Sequence, residues 1–197
     1  MANPIPDLRR AAVLGMDLQT AIVSNYAKGQ EDFLPRVAGL LSAARDRGMK
    51  IVHVQVGFRP GLPEISPRNA LFAAIKSSPQ WQQIFEGPSG AIHPAVAPQG
   101  EDIVVTKHRI SAFTGTDLDM ILRANDVDTL VLLGIATSGV VLSTLLHAID
   151  ADYRVIVVKD CCFDQDPEVH ACLTEKIFPR VATVVTAGEL FDTTRPN

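Results

Sequence analysis

The chain of 197 residues holds only three cysteines, Cys161, Cys162 and Cys172. They are too few and too bunched for a disulfide framework, and a reducing cytoplasm is the simplest compartment for them. No apolar run reaches the roughly 18 residues that a membrane span needs, so no membrane partner is expected. The opening residues, Met1 to Arg10, have no apolar core behind a basic end, which argues against a secretory signal. No block of basic residues exists and the net charge is −4, so composition offers no footprint for nucleic acid. There is no internal repeat and no linker. What remains is ordinary: 47% hydrophobic and 20% charged residues, enough for one domain over residues 1–197 with a sizeable core.

Hydrophobic patterning supplies the order of elements. Ala11 to Asp17 reads as a buried strand ending in an acid, followed by a loop at Leu18-Gln19-Thr20. Glu31 to Arg47 has Phe33, Leu34, Val37, Leu40, Leu41 and Ala44 at helical spacing, and Gly48 closes it. Lys50 to Val56 is a second strand. From Gly57 to Pro98 the chain is proline-rich and irregular, with a short helix expected near Asn69 to Lys76. Phe58, Phe72, Trp81 and Phe85 lie in this insertion and would line either a pocket or a subunit contact. Asp102 to Lys107 is a third strand, ending in a lysine, and Thr116 to Arg123 a helix with Asp117 and Asp119 at its positive end. Tyr153 to Asp160 is a further strand, Pro167 to Phe178 a helix opened by its proline, and Val181 to Thr186 a short last strand before a terminal turn at Ala187 to Asp192. Strand and helix alternate about six times, which predicts an α/β fold with a mostly parallel sheet and helices on both faces.

One stretch organises the rest, Thr129 to Thr144. Leu130 to Leu133 suits a central strand buried on both faces, Gly134 breaks it, and Thr137 or Ser138 can cap the helix that follows. Val140, Val141, Leu142, Leu145, Leu146 and Ile149 give that helix its apolar side. Ligands of open α/β sheets bind beyond the carboxyl ends of the strands, and free N–H groups at a helix start favour an anion or a developing oxyanion. The turn from Gly134 to Val140 is thus a candidate floor. If the strands are parallel, Asp17, Lys107 and this turn share one sheet edge, where an acid and a lysine would perturb each other's protonation. Asp17 as a turn cap and Lys107 as a solvated strand end are the plainer alternatives.

The residues also carry a resemblance. Val104 to Leu118, with Lys107 and Phe113, resembles the lysine motif of the isochorismatase-like cysteine hydrolases; Met16-Asp17-Leu18-Gln19 resembles their aspartate motif; and Gly134 to Thr144 with Ala148, Tyr153 and Asp160 resembles their nucleophile segment and next strand. The three motifs come in family order over about Ala11 to Leu190. The resemblance implies a three-layer α/β/α architecture around a six-stranded Rossmann-like sheet, hydrolysis of a small metabolite, and a homo-oligomer, dimer or tetramer. It further implies a cis peptide near Ile135–Ala136. Asp17 and Lys107 would be the catalytic pair. Gln19, Arg59, Phe113 and the turn Ile135, Ala136, Thr137, Ser138 and Gly139 would contact substrate, with Arg59 able to hold an acidic group through paired hydrogen bonds.

In one place the chain departs from that pattern. The amidases of the family have a cysteine three residues after the threonine that matches Thr137, and here that position is Val140, which has no lone pair for a thioester. Ser138 and Ser143 are poor substitutes, the first a helix cap and the second a turn into the helix. Isochorismatases have glycine at that position and hydrolyse a vinyl ether. Asp17 would then act as general acid; alternatively, ionised Asp17 activates water for C–N cleavage. A non-catalytic relative binding a metabolite or protein partner, or attack by Cys161 or Cys162, are the rivals. No metal or other cofactor is expected: the nicotinamidase-type histidines near the second strand are missing from Gly57 to Pro63, and His53, His93, His108, His147 and His170 lack ligand spacing. His108 is read as structural, His147 and His170 as ordinary helix positions.

Overall fold

In the computed structural model, residues 8–85 and 87–192 are described, Gln80 by its backbone alone. The segment read against a secretory signal thus lies largely outside the described residues. Six strands form one sheet: β1 Ala11–Met16, β2 Lys50–Val56, β3 Ile103–Lys107, β4 Thr129–Ile135, β5 Arg154–Phe163 and β6 Thr183–Val185. Their order is β3-β2-β1-β4-β5-β6, and every neighbouring pair is parallel. β1 and β4 are buried at every position, as continuous apolar runs in the middle of a parallel sheet must be.

The helices are α1 Thr20–Tyr26, α2 Phe33–Arg45, α3 Ala70–Ser77, α4 Pro79–Gln83, α5 Gly87–Gly90, α6 Leu118–Ala124, α7 Leu142–Asp150, α8 Pro167–Cys172 and α9 Ala187–Leu190. The chain runs from β1 outward to β3, returns to the far side of β1, and then runs outward again from β4 to β6. Right-handed crossovers in these opposite directions put α2 on one face and α7 on the other. Among the described residues no helix is long and apolar enough to cross a membrane.

The topology places the site. Strand order reverses between β1 and β4, so their carboxyl ends diverge and leave a crevice. Asp17 follows β1 there, and the Ile135–Ala136 peptide that ends β4 is cis. A wide helical turn, Thr137–Val141, then leads into α7.

Several local expectations need correction. The segment after Gln19 is not only a loop: α1 begins at Thr20, although it buries just Val23 and has no side-chain cap, so its local signals are weak. β5 runs past Asp160 through Cys161 and Cys162 to Phe163, because β4 shifts register between Leu132 and Gly134 and continues to pair with it. The helix from Pro167 is regular only to Cys172. It then widens over Leu173–Ile177 and tightens over Phe178–Arg180, beside Pro179. In the insertion, Asn69 caps α3 by accepting from the Phe72 N–H.

Candidate active site

Asp17 and Lys107 start two strands apart, at the ends of β1 and β3, a separation of about 10 Å at normal strand spacing. Their side chains close it: Lys107 Nζ lies 2.9 Å from Asp17 Oδ2, with the side chains only 3% and 10% exposed. Lys107 also donates to the Arg109 carbonyl at 3.1 Å. Asp17 Oδ1 is buried with no hydrogen-bond partner among the described residues. Burial pushes the Asp17 carboxyl above its ordinary value of 3.8, and the neighbouring Lys107 opposes but does not cancel that rise.

The pair lies at the floor of a cavity of about 300 Å³. Ile135, Ala136, Gly139 and Val140 form one side, from the end of β4 and the turn. Ile22, Asn25 and Tyr26 of α1 form another. Phe72 and Ile75 of α3, with Trp81, Ile84 and Phe85 around α4, form the wall above, so the irregular insertion exists structurally as the roof of this site. Phe58 lies behind it, edge-on to Phe72 and Phe85.

The other residues named from sequence lie elsewhere. Gln19 is buried, accepting from the Val56 N–H at 2.8 Å and donating to the Val56 and Gly90 carbonyls. It ties the loop after β1 to β2 and α5, and so frames the cavity without lining it. Arg59 is 70% exposed and paired with Glu64 outside the cavity. Phe113 stacks flat on His147, centroids 4.5 Å apart. Thr137 is fully buried with its hydroxyl 2.9 Å from His170 Nδ1, and Ser138 caps nothing: its own N–H donates to Asp164 at 2.7 Å. The cap comes from across the fold. Asp164 and His170 hold the turn from positions 26 and 33 residues away, a role that no local pattern reveals. The N–H groups of Gly139 and Val141 fold back on the Ala136 carbonyl, so three donors of this floor are already engaged.

The remaining histidines have structural partners. His53, buried in β2, lies 3.1 Å from Asp102, which Arg45 also holds, and burial keeps its pKa low. His108 holds the Gly57 carbonyl at 2.6 Å. Among the described residues no three acidic, histidine or cysteine side chains group as a metal site. None of the cysteines lines the cavity. Cys161 and Cys162 are buried; burial pushes the Cys161 thiol up to about 12 and raises Cys162 as well.

A parallel sheet with a buried acid–lysine pair and a cavity at its topological switch point has the ligand-site placement of an open α/β fold. A model of the isochorismatase domain matches residues 11–189, and the chain belongs to that family. Maleamate amidohydrolase of Pseudomonas putida is 32% identical over 183 residues, covering 90% of this chain and 84% of the relative. A ureidoacrylate amidohydrolase of Azorhizobium caulinodans is 31% identical over 181 residues, covering 82% and 79%. An isochorismatase-family protein of Burkholderia thailandensis superposes with a TM-score of 0.78 at 31% identity, covering 94% of this chain and 96% of the other.

Proposed function

We propose that the protein hydrolyses a C–N bond of a small molecule by direct attack of water, with Asp17 as general base and no covalent intermediate. The observation that carries this reading is a buried carboxylate with one oxygen on Lys107 and the other unpartnered, in a cavity that no thiol lines; Val140, which the motif resemblance aligns with the family's cysteine, is among its lining residues. Water adds across the bond in balanced steps. Its oxygen bonds to the carbonyl carbon while one proton passes to the Asp17 carboxylate. The carbonyl oxygen becomes an oxyanion beside the Lys107 ammonium. As the C–N bond breaks, Asp17 returns the proton to the departing nitrogen, leaving a carboxylic acid and an amine or ammonia. A carboxyl raised by burial suits both halves, since it is a stronger base than an ordinary carboxylate and holds the proton for the leaving group.

The vinyl-ether alternative has less support. Isochorismate carries two carboxylates, and the only cation among the described lining residues, Lys107, is already paired. A panel of amides, ureides and isochorismate tests the reading: ammonia or amine release supports it, loss of isochorismate instead overturns it, and silence on all of them favours a binding protein.

Two further results are expected. Alkylation of the native protein should label exposed Cys172 and spare the buried pair, with turnover retained; mass spectrometry gives the adducts. Loss of turnover tracking an adduct on Cys161 or Cys162 would refute direct water attack. In the pH profile, kcat/KM should fall on the acid side as Asp17 takes up its proton, with a midpoint above 3.8 because burial raises it. An acid limb at or below 3.8 would exclude Asp17 as the base.

A further inference from the structure

We propose, resting on the hydrolase reading, that the substrate is an uncharged amide whose non-reacting body is hydrophobic and lies against the wall built by α3 and α4. The cavity has one formal charge of each sign among its described lining residues, and these two neutralise each other at 2.9 Å. A substrate carboxylate would leave water and meet no unpaired cation, and burying a charge unpaired is heavily disfavoured. No arginine is among the described lining residues. Arg59 is bound to Glu64, and Arg109 donates to the carbonyls of His108 and Glu64. Neither lines the cavity.

What the wall does offer is carbon. Phe72, Ile75, Ile84 and Phe85 face the same space as Asp17, and at its mouth Leu71 and Trp81 stand 57% and 48% exposed. An apolar body seated there removes that surface from water, which is where the binding would come from. The volume of about 300 Å³ holds on the order of ten water-sized units, ample room for benzamide or hexanamide. Maleamate and ureidoacrylate, for which two relatives are named, are both carboxylates, so on this reading the chain differs from those relatives in the charge of its substrate.

The experiment has two independent readouts. The chain has a single tryptophan, Trp81, in the cavity wall, so its fluorescence reports binding whether or not chemistry follows. Linear amides from acetamide to hexanamide, benzamide, and succinamate as the carboxylate-bearing counterpart are titrated, and ammonia release is measured in parallel. Affinity and kcat/KM should rise about three- to fourfold per methylene. Succinamate should be weaker than pentanamide by more than tenfold. Ile75→Lys should narrow or reverse that gap, and Leu71→Lys, at an exposed position, replaces it if the first does not fold. Preference for apolar amides without ammonia release would sink the hydrolase reading and leave the assignment of the body intact. Ammonia release with succinamate preferred would do the opposite. No binding by any of the series would overturn the inference.

Discussion

Asp17→Asn is expected to cut kcat by about a thousandfold, within the range for loss of a general base, and to destabilise the protein as well. The second effect follows from burial. With Lys107 only 3% exposed, the neutral amide leaves its ammonium without a counter-charge in the interior. Breaking a buried pair on one side typically costs about 3–5 kcal/mol, and less here because burial already disfavours the ionised carboxylate, whereas replacing both partners by uncharged groups is often neutral. Asp17→Asn combined with Lys107→Met should therefore recover most of the lost stability and none of the turnover. Urea unfolding with unchanged m-values measures the first, and the amide panel the second. This cycle separates chemistry from folding: a stable, inactive double variant assigns the loss to the reaction. A single variant with wild-type turnover would remove Asp17 from the mechanism, and a double variant as unstable as the single would mean the pair is not the coupled unit inferred from its 2.9 Å contact. The pH dependence has a definite sign. The folded-state pKa of Asp17 is raised above 3.8, so its contribution to stability is fully present below 3.8 and is lost as pH rises through the raised value. The Asp17→Asn proteins should lack that decline.

The parts legible in the sequence were those that local pattern encodes. The continuous apolar run Leu130 to Leu133 marks a strand buried on both faces, and Asp17 and Lys107 close strands whose parallel arrangement brings their ends to one edge. Proximity along the chain misleads where the fold turns away. Arg59 follows β2 by a few residues yet is largely exposed and paired with Glu64 outside the cavity, and Phe113 belongs to the lysine motif yet stacks on His147. The turn after β4 shows the opposite failure. Thr137 and Ser138 have the composition of a helix cap, but the hydrogen bonds that fix them come from His170 and Asp164, beyond β5. Such contacts leave no periodicity to read, because the two partners belong to different elements. The aromatic insertion lies between these cases. Its composition pointed to either a pocket or a subunit contact, and the described structure makes Phe72, Trp81 and Phe85 part of the cavity wall.

Gly134→Ala should be the most damaging single substitution in the chain's centre, costing about 4 kcal/mol from backbone strain and overpacking together. Two independent features converge on this glycine. Its φ is 139°, a conformation that side chains with a Cβ rarely adopt. A Cβ there would also overlap the Met16 carbonyl oxygen and lie 2.9 Å and 3.0 Å from the Met16 carbonyl carbon and nitrogen. These are backbone atoms of the paired strand, since Met16 and Gly134 are register partners, so no side chain can rotate away to make room. Relief requires β1 and β4 to separate at their carboxyl ends, which carries Asp17 away from Lys107 and opens the cavity floor. The variant should thus be both destabilised and inactive in whatever fraction stays folded. Gly29→Ala is the control. Its φ is 80° but nothing lies within 4 Å of where the alanine methyl would sit, so it bears conformational strain alone and should cost only about 1 kcal/mol. Urea midpoints for the two variants, measured against the wild type, give the difference directly. If Gly134→Ala costs no more than Gly29→Ala, the two central strands yield more easily than their backbone contact allows, and the position of Asp17 is not fixed by it.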